Sequence, residues 1–140
     1  MKQFSKNSIN DEIFTCLLDT HIFIWWVLDN PKLSENNKAT IANTNNAIYL
    51  SSASTWEIII KSSIGKITLP EQADIFIQKQ LDLNSFNLLD IKIDHTFDIL
   101  KLPFIHKDPF DRILIAQARY ENMILITDDI EIKKYDVLIA

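Results

Sequence analysis

Glycine is almost missing from this chain: Gly65 stands alone among 140 residues, beside only four prolines. Disordered and linker-rich proteins use far more of both, so a loop-dominated chain is excluded. Cysteine is as scarce. Cys16 is the only one, which rules out an intrachain disulfide and a thiolate zinc site, and its apolar neighbours mark it as a buried, inert thiol. Long hydrophobic runs are absent too. The longest aromatic–aliphatic stretch, "IFIWWVL" at 22–28, is too short to span a bilayer. The opening "MKQFSKNSINDE" lacks the apolar centre of a signal peptide. No membrane association is expected, and a reducing, cytoplasmic location is the default. Nor is there a basic excess. The net charge of −5 argues against a dominant phosphate-binding surface, although functional carboxylates can lower the total while cations line a groove.

What remains is an ordinary globular composition, 47% hydrophobic and 24% charged, of a length that suits one domain over residues 1–140 with a sizeable core. Residues 1–12 read as a polar lead-in arm. Beyond them, strand and helix signals alternate. Strand-length apolar runs stand at "FTCLLD" (14–19), "AIYLSS" (47–52), "FNLLDI" (86–91), "MILITDD" (123–129) and "VLIA" (137–140). Helical patterns lie between them: 21–28, "SENNKATIANT" with Ser34 as N-cap, "WEIIIKSSIG" stopped by Gly65, "EQADIFIQKQLDL", "DHTFDILKL" ended by Pro103, a long helix opening within "HKDPFDRILIAQA" (106–118), and a short "EIKKY". Nearly all-apolar strands separated by helices predict an α/β fold with a parallel sheet covered on both faces.

On such a sheet the carboxyl ends of the strands share one rim, where ligands bind. Asp19 ends the first strand, Glu57 follows the second, Asp111 opens the long helix, and Asp128 and Asp129 end the fourth strand. Each acid also has a local reading. Asp19 and Asp129 suit helix N-caps, Ser54-Thr55-Trp56-Glu57 fits a capping box, and Asp108-Pro109 is a helix start with Asp111 favoured in its first turn. Taken together, crowded carboxylates repel one another, and a divalent cation relieves that repulsion. Oxygen-only ligation points to Mg²⁺ or Mn²⁺, and phosphodiester hydrolysis is the chemistry such a centre supports.

The blocks "LLDTHIFIWW", "SSASTWEIIIKSSIGKITLP", "HKDPFDRILIAQA" and "LITDD" resemble, in order, those of the PIN-domain nucleases, in particular the toxins of VapBC-type toxin–antitoxin pairs. The resemblance spans residue 14 to the C-terminus. It implies a three-layer fold with a five-stranded parallel sheet, Mg²⁺- or Mn²⁺-dependent endoribonuclease activity on an RNA substrate, a homodimer and an antitoxin partner. Carried over, the catalytic and metal-holding acids are Asp19, Glu57, Asp111 and Asp129, the last matching the family's Thr-x-Asp block after Thr127, with Asp128 as its rival. Asp108 and Thr127 are expected close behind these acids.

Other residues carry two readings each. Thr20 orients the Asp19 carboxylate or simply starts a helix. Lys61 reaches substrate phosphate or pairs with Glu57 one turn away. Arg112 grips phosphate bidentately or pairs with a neighbouring acid. His21 and His106 touch substrate or serve packing and capping, and His95 is expected at the surface. Trp25, Trp26 and Trp56 are expected in core or subunit-interface packing rather than in base stacking. Two competitors stay open: a non-catalytic RNA- or protein-binding module on the same fold, and a phospho-acceptor domain. The latter needs paired acids before the first-strand aspartate and a lysine after a late strand, whereas the nearest acids before Asp19 are Asp11 and Glu12 and no lysine follows Thr127 until Lys133.

Overall fold

The computed structural model describes residues 13–140; the expected lead-in arm at 1–12 lies outside them. A short strand β1 (Thr15–Leu18) runs into α1 (Thr20–Val27), then α2 (Glu35–Ala42) and β2 (Ala47–Ser51). There follow α3 (Ser52–Ser63), α4 (Ala73–Asn84), β3 (Asn87–Leu89) and α5 (Ile93–Asp98), extended by a 3-10 turn at Ile99–Lys101. The long helix α6 (Pro109–Glu121), β4 (Ile124–Ile126) and a 3-10 turn at Ile132–Lys134 complete the chain. The strands form one sheet in the order β3-β2-β1-β4, and all three pairings are parallel. The α/β class is as expected.

Strand alternation divides the core into two layers. Cys16, Leu18, Ile48, Leu50 and Ile126 turn to one face, where α1 to α4 bury Phe23, Ile41, Ile58 and Ile77 against them. Leu17 and Leu125 turn to the other, beneath Leu114 and Ile115 of α6 and the C-terminal Tyr135, Val137 and Ile139. Both faces are therefore dry, which is why the strands read as unbroken apolar runs. Among the described residues no helix is long and apolar enough to cross a membrane.

The sheet has four strands, not the five expected. The segment "VLIA" contributes one isolated parallel bridge, Leu125 to Ile139. Leu125 N–H donates to Leu138 C=O at 2.8 Å and Leu125 C=O accepts from Ala140 N–H at 3.3 Å. One residue of β4 thus takes both bonds, too few for a ladder. A second departure concerns α3. Its N-cap is Ser51, whose hydroxyl accepts from Ala53 N–H at 3.0 Å, so Glu57 lies in the second turn and the Ser54–Glu57 capping box does not form. His95 is fully buried rather than at the surface: Nδ1 accepts from Lys92 N–H at 2.9 Å and Nε2 faces Glu121 at 2.7 Å, tying α5 to α6. Trp25 and Trp26 pack on the core as expected, but Trp56 is 59% exposed with its ring edge-on to Phe110.

With a single glycine available, left-handed backbone positions fall to Asp29, Ser85 and Asn122. Gly65 takes the one that closes α3, at φ +76°. Gly65 N–H bonds Ser62 C=O and Lys66 N–H bonds Lys61 C=O, the paired C-terminal closure that favours glycine. A Cβ at Gly65 meets nothing within 4 Å, so any penalty there is purely conformational. Gly65→Ala is expected to cost about 1 kcal/mol in urea unfolding, and Gly65→Asn less, since asparagine tolerates this region better. Equal losses would remove the backbone explanation.

Candidate metal centre

The centre is built outward from Asp19. Parallel pairing of β1 with β4 continues one residue past the strand, with Asp19 N–H donating to Ile126 C=O at 2.9 Å. The side chain then does two things at once. Its Oδ1 accepts Thr20 N–H at 2.8 Å, capping α1, while Oδ2 accepts the Thr127 hydroxyl at 2.7 Å. Only 2% of Asp19 is exposed. Burial pushes its carboxyl above the usual range, opposed by the Thr127 hydrogen bond, the charge of His21 and the Thr20 N–H, and reinforced by Asp129. Thr20 also donates its hydroxyl to Ser54 Oγ at 2.9 Å, linking α1 to α3 beneath Glu57.

Thr127 serves a second acid. Its Oγ1 accepts Asp129 N–H at 3.0 Å. Asp129 Oδ1 caps the following turn through Glu131 N–H at 2.8 Å, and Oδ2 lies 3.3 Å from His106 Nε2. Asp128 is exposed, whereas Asp129 is half-buried. From the opposite side, Asp108 Oδ1 accepts Phe110 N–H at 2.8 Å and caps α6 as expected. Asp111, in the first turn, lies 2.9 Å from His106 Nε2 through Oδ2.

Glu57 is 3% exposed. Its Oε2 pairs with Lys61 Nζ at 2.7 Å, and its Oε1 is buried with no hydrogen-bond partner among the described residues. The carboxyl of Asp111 is pushed up to about 7, chiefly by burial, then by the charges of Asp19 and Asp108, opposed by His106, with Glu57 adding further repulsion. Asp19, Glu57, Asp111 and Asp129 therefore feel one another, directly or through a neighbour. An orphaned carboxylate oxygen among buried acids fits a divalent cation: the donors are oxygens, which suit Mg²⁺ and Mn²⁺. His106, Asp111 and Asp129 also bring potential ligand atoms within 4.8 Å of one another.

Arg112 lies elsewhere. Its guanidinium donates to Pro103 C=O at 3.0 Å and Ile99 C=O at 3.5 Å, and stacks over Phe104. Among the described residues it forms no ion pair, and it also reaches the Tyr135 hydroxyl at 3.4 Å, so its hydrogen bonds join the 99–104 segment to the C-terminal segment. Lys61 holds the expected i,i+4 pair while remaining 30% exposed. The roles of His106 and Ser54 are weakly signalled in the sequence: Ser54 meets Thr20 34 residues away, and His106 meets Asp129 23 residues away as well as the nearby Asp111.

A family model described as the PIN domain matches residues 16–138. The chain belongs to the PIN-domain family. Among solved structures, this PIN domain is similar to VapBC2 from Rickettsia felis, bound to a DNA fragment from its promoter, with a TM-score of 0.69 at 20% identity over 91% of this chain and 98% of that one. VapBC-1 from nontypeable Haemophilus influenzae gives 0.62 at 18% identity, covering 91% and 97%. A toxin–antitoxin complex from Klebsiella pneumoniae gives 0.54 at 22%, covering 81% and 86%. No curated protein matches the chain.

The Asp111 carboxyl makes stability depend on pH. An unfolded aspartate titrates near about 4, while Asp111 in the fold titrates at about 7. Between these values the folded protein holds the extra proton, so the contribution is complete below the unfolded value and is lost as pH rises through the folded one. Metal-free protein is expected to be more stable at about pH 5 than at about pH 8, and Asp111→Asn, permanently neutral, to flatten that difference. Denaturant titrations in chelator at the two pH values measure it. Parallel curves for the two proteins would contradict the raised pKa.

Proposed function

We propose that this PIN domain is a Mg²⁺- or Mn²⁺-dependent endoribonuclease that acts as the toxin of a toxin–antitoxin pair. The observation that carries the reading is Glu57 Oε1, a buried carboxylate oxygen with no partner among the described residues, close to Asp19 and Asp111, whose carboxyls are raised chiefly by burial and further by neighbouring acids. Isolated buried charge is costly unless paired, and a non-catalytic binding module has no use for that cost.

Asp19, Glu57, Asp111 and Asp129 would hold the ion, from the end of β1, the second turn of α3, the first turn of α6 and the segment just beyond β4. A divalent cation there supplies Lewis-acid activation of water and charge for the phosphoryl oxygens. The protein's own groups set the rest. Thr127 orients Asp19 and Asp129 together, Thr20 joins α1 to Ser54 on α3, and Asp108 fixes the start of α6. Asp111, as a ligand, would act in its deprotonated form. Lys61, paired with Glu57 and partly exposed, is the cation in this set placed to meet an RNA phosphate. Arg112 acts by holding the 99–104 segment.

The antitoxin reading is supported by the solved toxin–antitoxin complex from Klebsiella pneumoniae, whose fold this chain shares. A groove of about 630 Å³ between α1, α2 and α4, walled by Trp25, Trp26, Leu33 and Ala39 together with Glu35 and Lys38, offers a seat of mixed apolar and charged character for such a partner. The same apolar α1 suits a homodimer in a cytoplasmic protein. Sedimentation at micromolar concentration is expected to give a dimer, and Trp25→Gln to weaken it without touching cleavage. A monomer at every concentration would remove the dimer.

The decisive experiment incubates the protein with tRNA and structured RNAs, with and without Mn²⁺. Discrete fragments are expected only with the ion. Asp19→Asn and Asp111→Asn should abolish cleavage and most of the saturable thermal stabilisation by Mn²⁺, a gain of roughly 2.7 kcal/mol at a hundredfold excess over the dissociation constant. Asp108→Asn should keep much of both, because asparagine caps a helix about as well. Mn²⁺-independent fragments, or equal loss in all three variants, would sink the assignment.

A further inference from the structure

Resting on the metal reading above, we infer that His106 is a positioning residue of the centre: its Nε2–H holds Asp111 and Asp129 together, and its imidazole does not ligate the ion. Proximity alone suggests the opposite, since His106, Asp111 and Asp129 form a compact trio of potential ligand atoms. The hydrogen bonds on the far side of the ring decide the matter. His106 Nδ1 lies 3.2 Å from Asp108 N, and a backbone N–H can only donate. Nδ1 must therefore present its lone pair, which puts the proton of the neutral ring on Nε2. A protonated nitrogen has no lone pair left for a cation, since metal-bound imidazole must first shed that proton.

Nε2–H instead points at two carboxylate oxygens, Asp111 Oδ2 at 2.9 Å and Asp129 Oδ2 at 3.3 Å. These acids arrive from the start of α6 and from beyond the end of β4, elements that no strand pairing ties to each other at this point. The imidazole is the tie. Each carboxylate oxygen keeps further lone pairs, so it can accept from His106 and still face an ion. Donors of this kind orient metal-binding groups and tune affinity without touching the metal.

The segment carrying His106 is anchored for this task. The buried Tyr135 hydroxyl accepts His106 N–H at 2.7 Å and Ile105 N–H at 3.1 Å. Arg112 reaches the same hydroxyl at 3.4 Å and Pro103 C=O at 3.0 Å. The wiring also recurs at His95, where Nδ1 accepts Lys92 N–H and Nε2 faces the Glu121 carboxylate, away from the acid cluster. The chain thus uses a histidine with a backbone-fixed tautomer twice, each time to donate to a carboxylate.

Two measurements on the full chain test this. Long-range ¹H–¹⁵N NMR reads the tautomer in the wild type: His106 is expected to carry its proton on Nε2 both before and after Mg²⁺ is added. A proton on Nδ1, or loss of the Nε2 proton when Zn²⁺ is added, overturns the inference. Calorimetric titration with Mg²⁺, Mn²⁺ and Zn²⁺ then compares His106→Ala and His106→Gln. Alanine should weaken all three ions alike, by about tenfold, and glutamine, whose amide N–H takes the place of Nε2–H, should restore affinity to within a few-fold. Loss confined to Zn²⁺ without rescue by glutamine would make His106 a ligand and overturn the inference, as would an alanine variant that binds like the wild type. A wild type that takes up no ion overturns the metal reading and this inference with it, which separates the two failures.

Discussion

The hydrogen bond from the Thr127 hydroxyl to Asp19 Oδ2 joins the central strand β1 to the edge strand β4 at the point where both stop being strands. Asp19 leaves β1 to cap α1 and Thr127 leaves β4 to arrange Asp129. A buried carboxylate without donors is costly, so Asp19 can sit there only because an N–H and an O–H converge on it. Those same donors fix which way its remaining lone pairs face. The geometry of the other acids follows: Thr20, next in sequence, reaches Ser54 on α3 and so relates the α3 acid to the β1 acid.

Repulsion is the opposing constraint, and the protein meets it acid by acid. Glu57 has Lys61 on one oxygen. Asp111 and Asp129 share the Nε2–H of His106. Asp111 retains a proton to about neutral pH. None of these devices reaches Glu57 Oε1. Buried polar atoms are almost always satisfied in native proteins, so an exception among acids marks where an external charge is wanted. The energy to hold such a site comes from two dry core layers on either side of the sheet, not from the site itself.

Sequence alone revealed what is local and missed what is remote. Asp108-Pro109 and Ser34 cap their helices as their neighbours suggest, because a cap is decided within a few residues. Gly65 closes α3 for the same reason. The start of α3 was misjudged because "SSAST" offers several hydroxyls able to cap, and packing selected Ser51 and assigned Ser54 to Thr20. Buried His95 and half-buried His106 each join a near backbone N–H to a carboxylate more than twenty residues away, and that remote half has no local signal. Arg112 could not be placed from a charge pattern, since its acceptors are backbone carbonyls and an aromatic face. "VLIA" is apolar enough for a strand, yet only one residue of β4 is left to receive it.

The acids themselves fall between these cases, and the reason bears on how the site arises. Helices favour carboxylates at their N-termini, and in a parallel α/β sheet those N-termini gather along the rim where the strands end. Asp19 and Asp108 are caps, Asp111 sits in a first turn and Asp129 caps a turn. Read singly, each needs no function. The topology then brings locally favoured charges into one place where they are collectively unfavourable, and the conflict is what a cation resolves. Glu57 breaks the pattern. It lies in the second turn of its helix, where no dipole or cap rewards a buried carboxylate, and it is the acid left with an unpartnered oxygen. Lys61, one turn on, answers one of its oxygens, and the proposed ion is the partner that would answer the other.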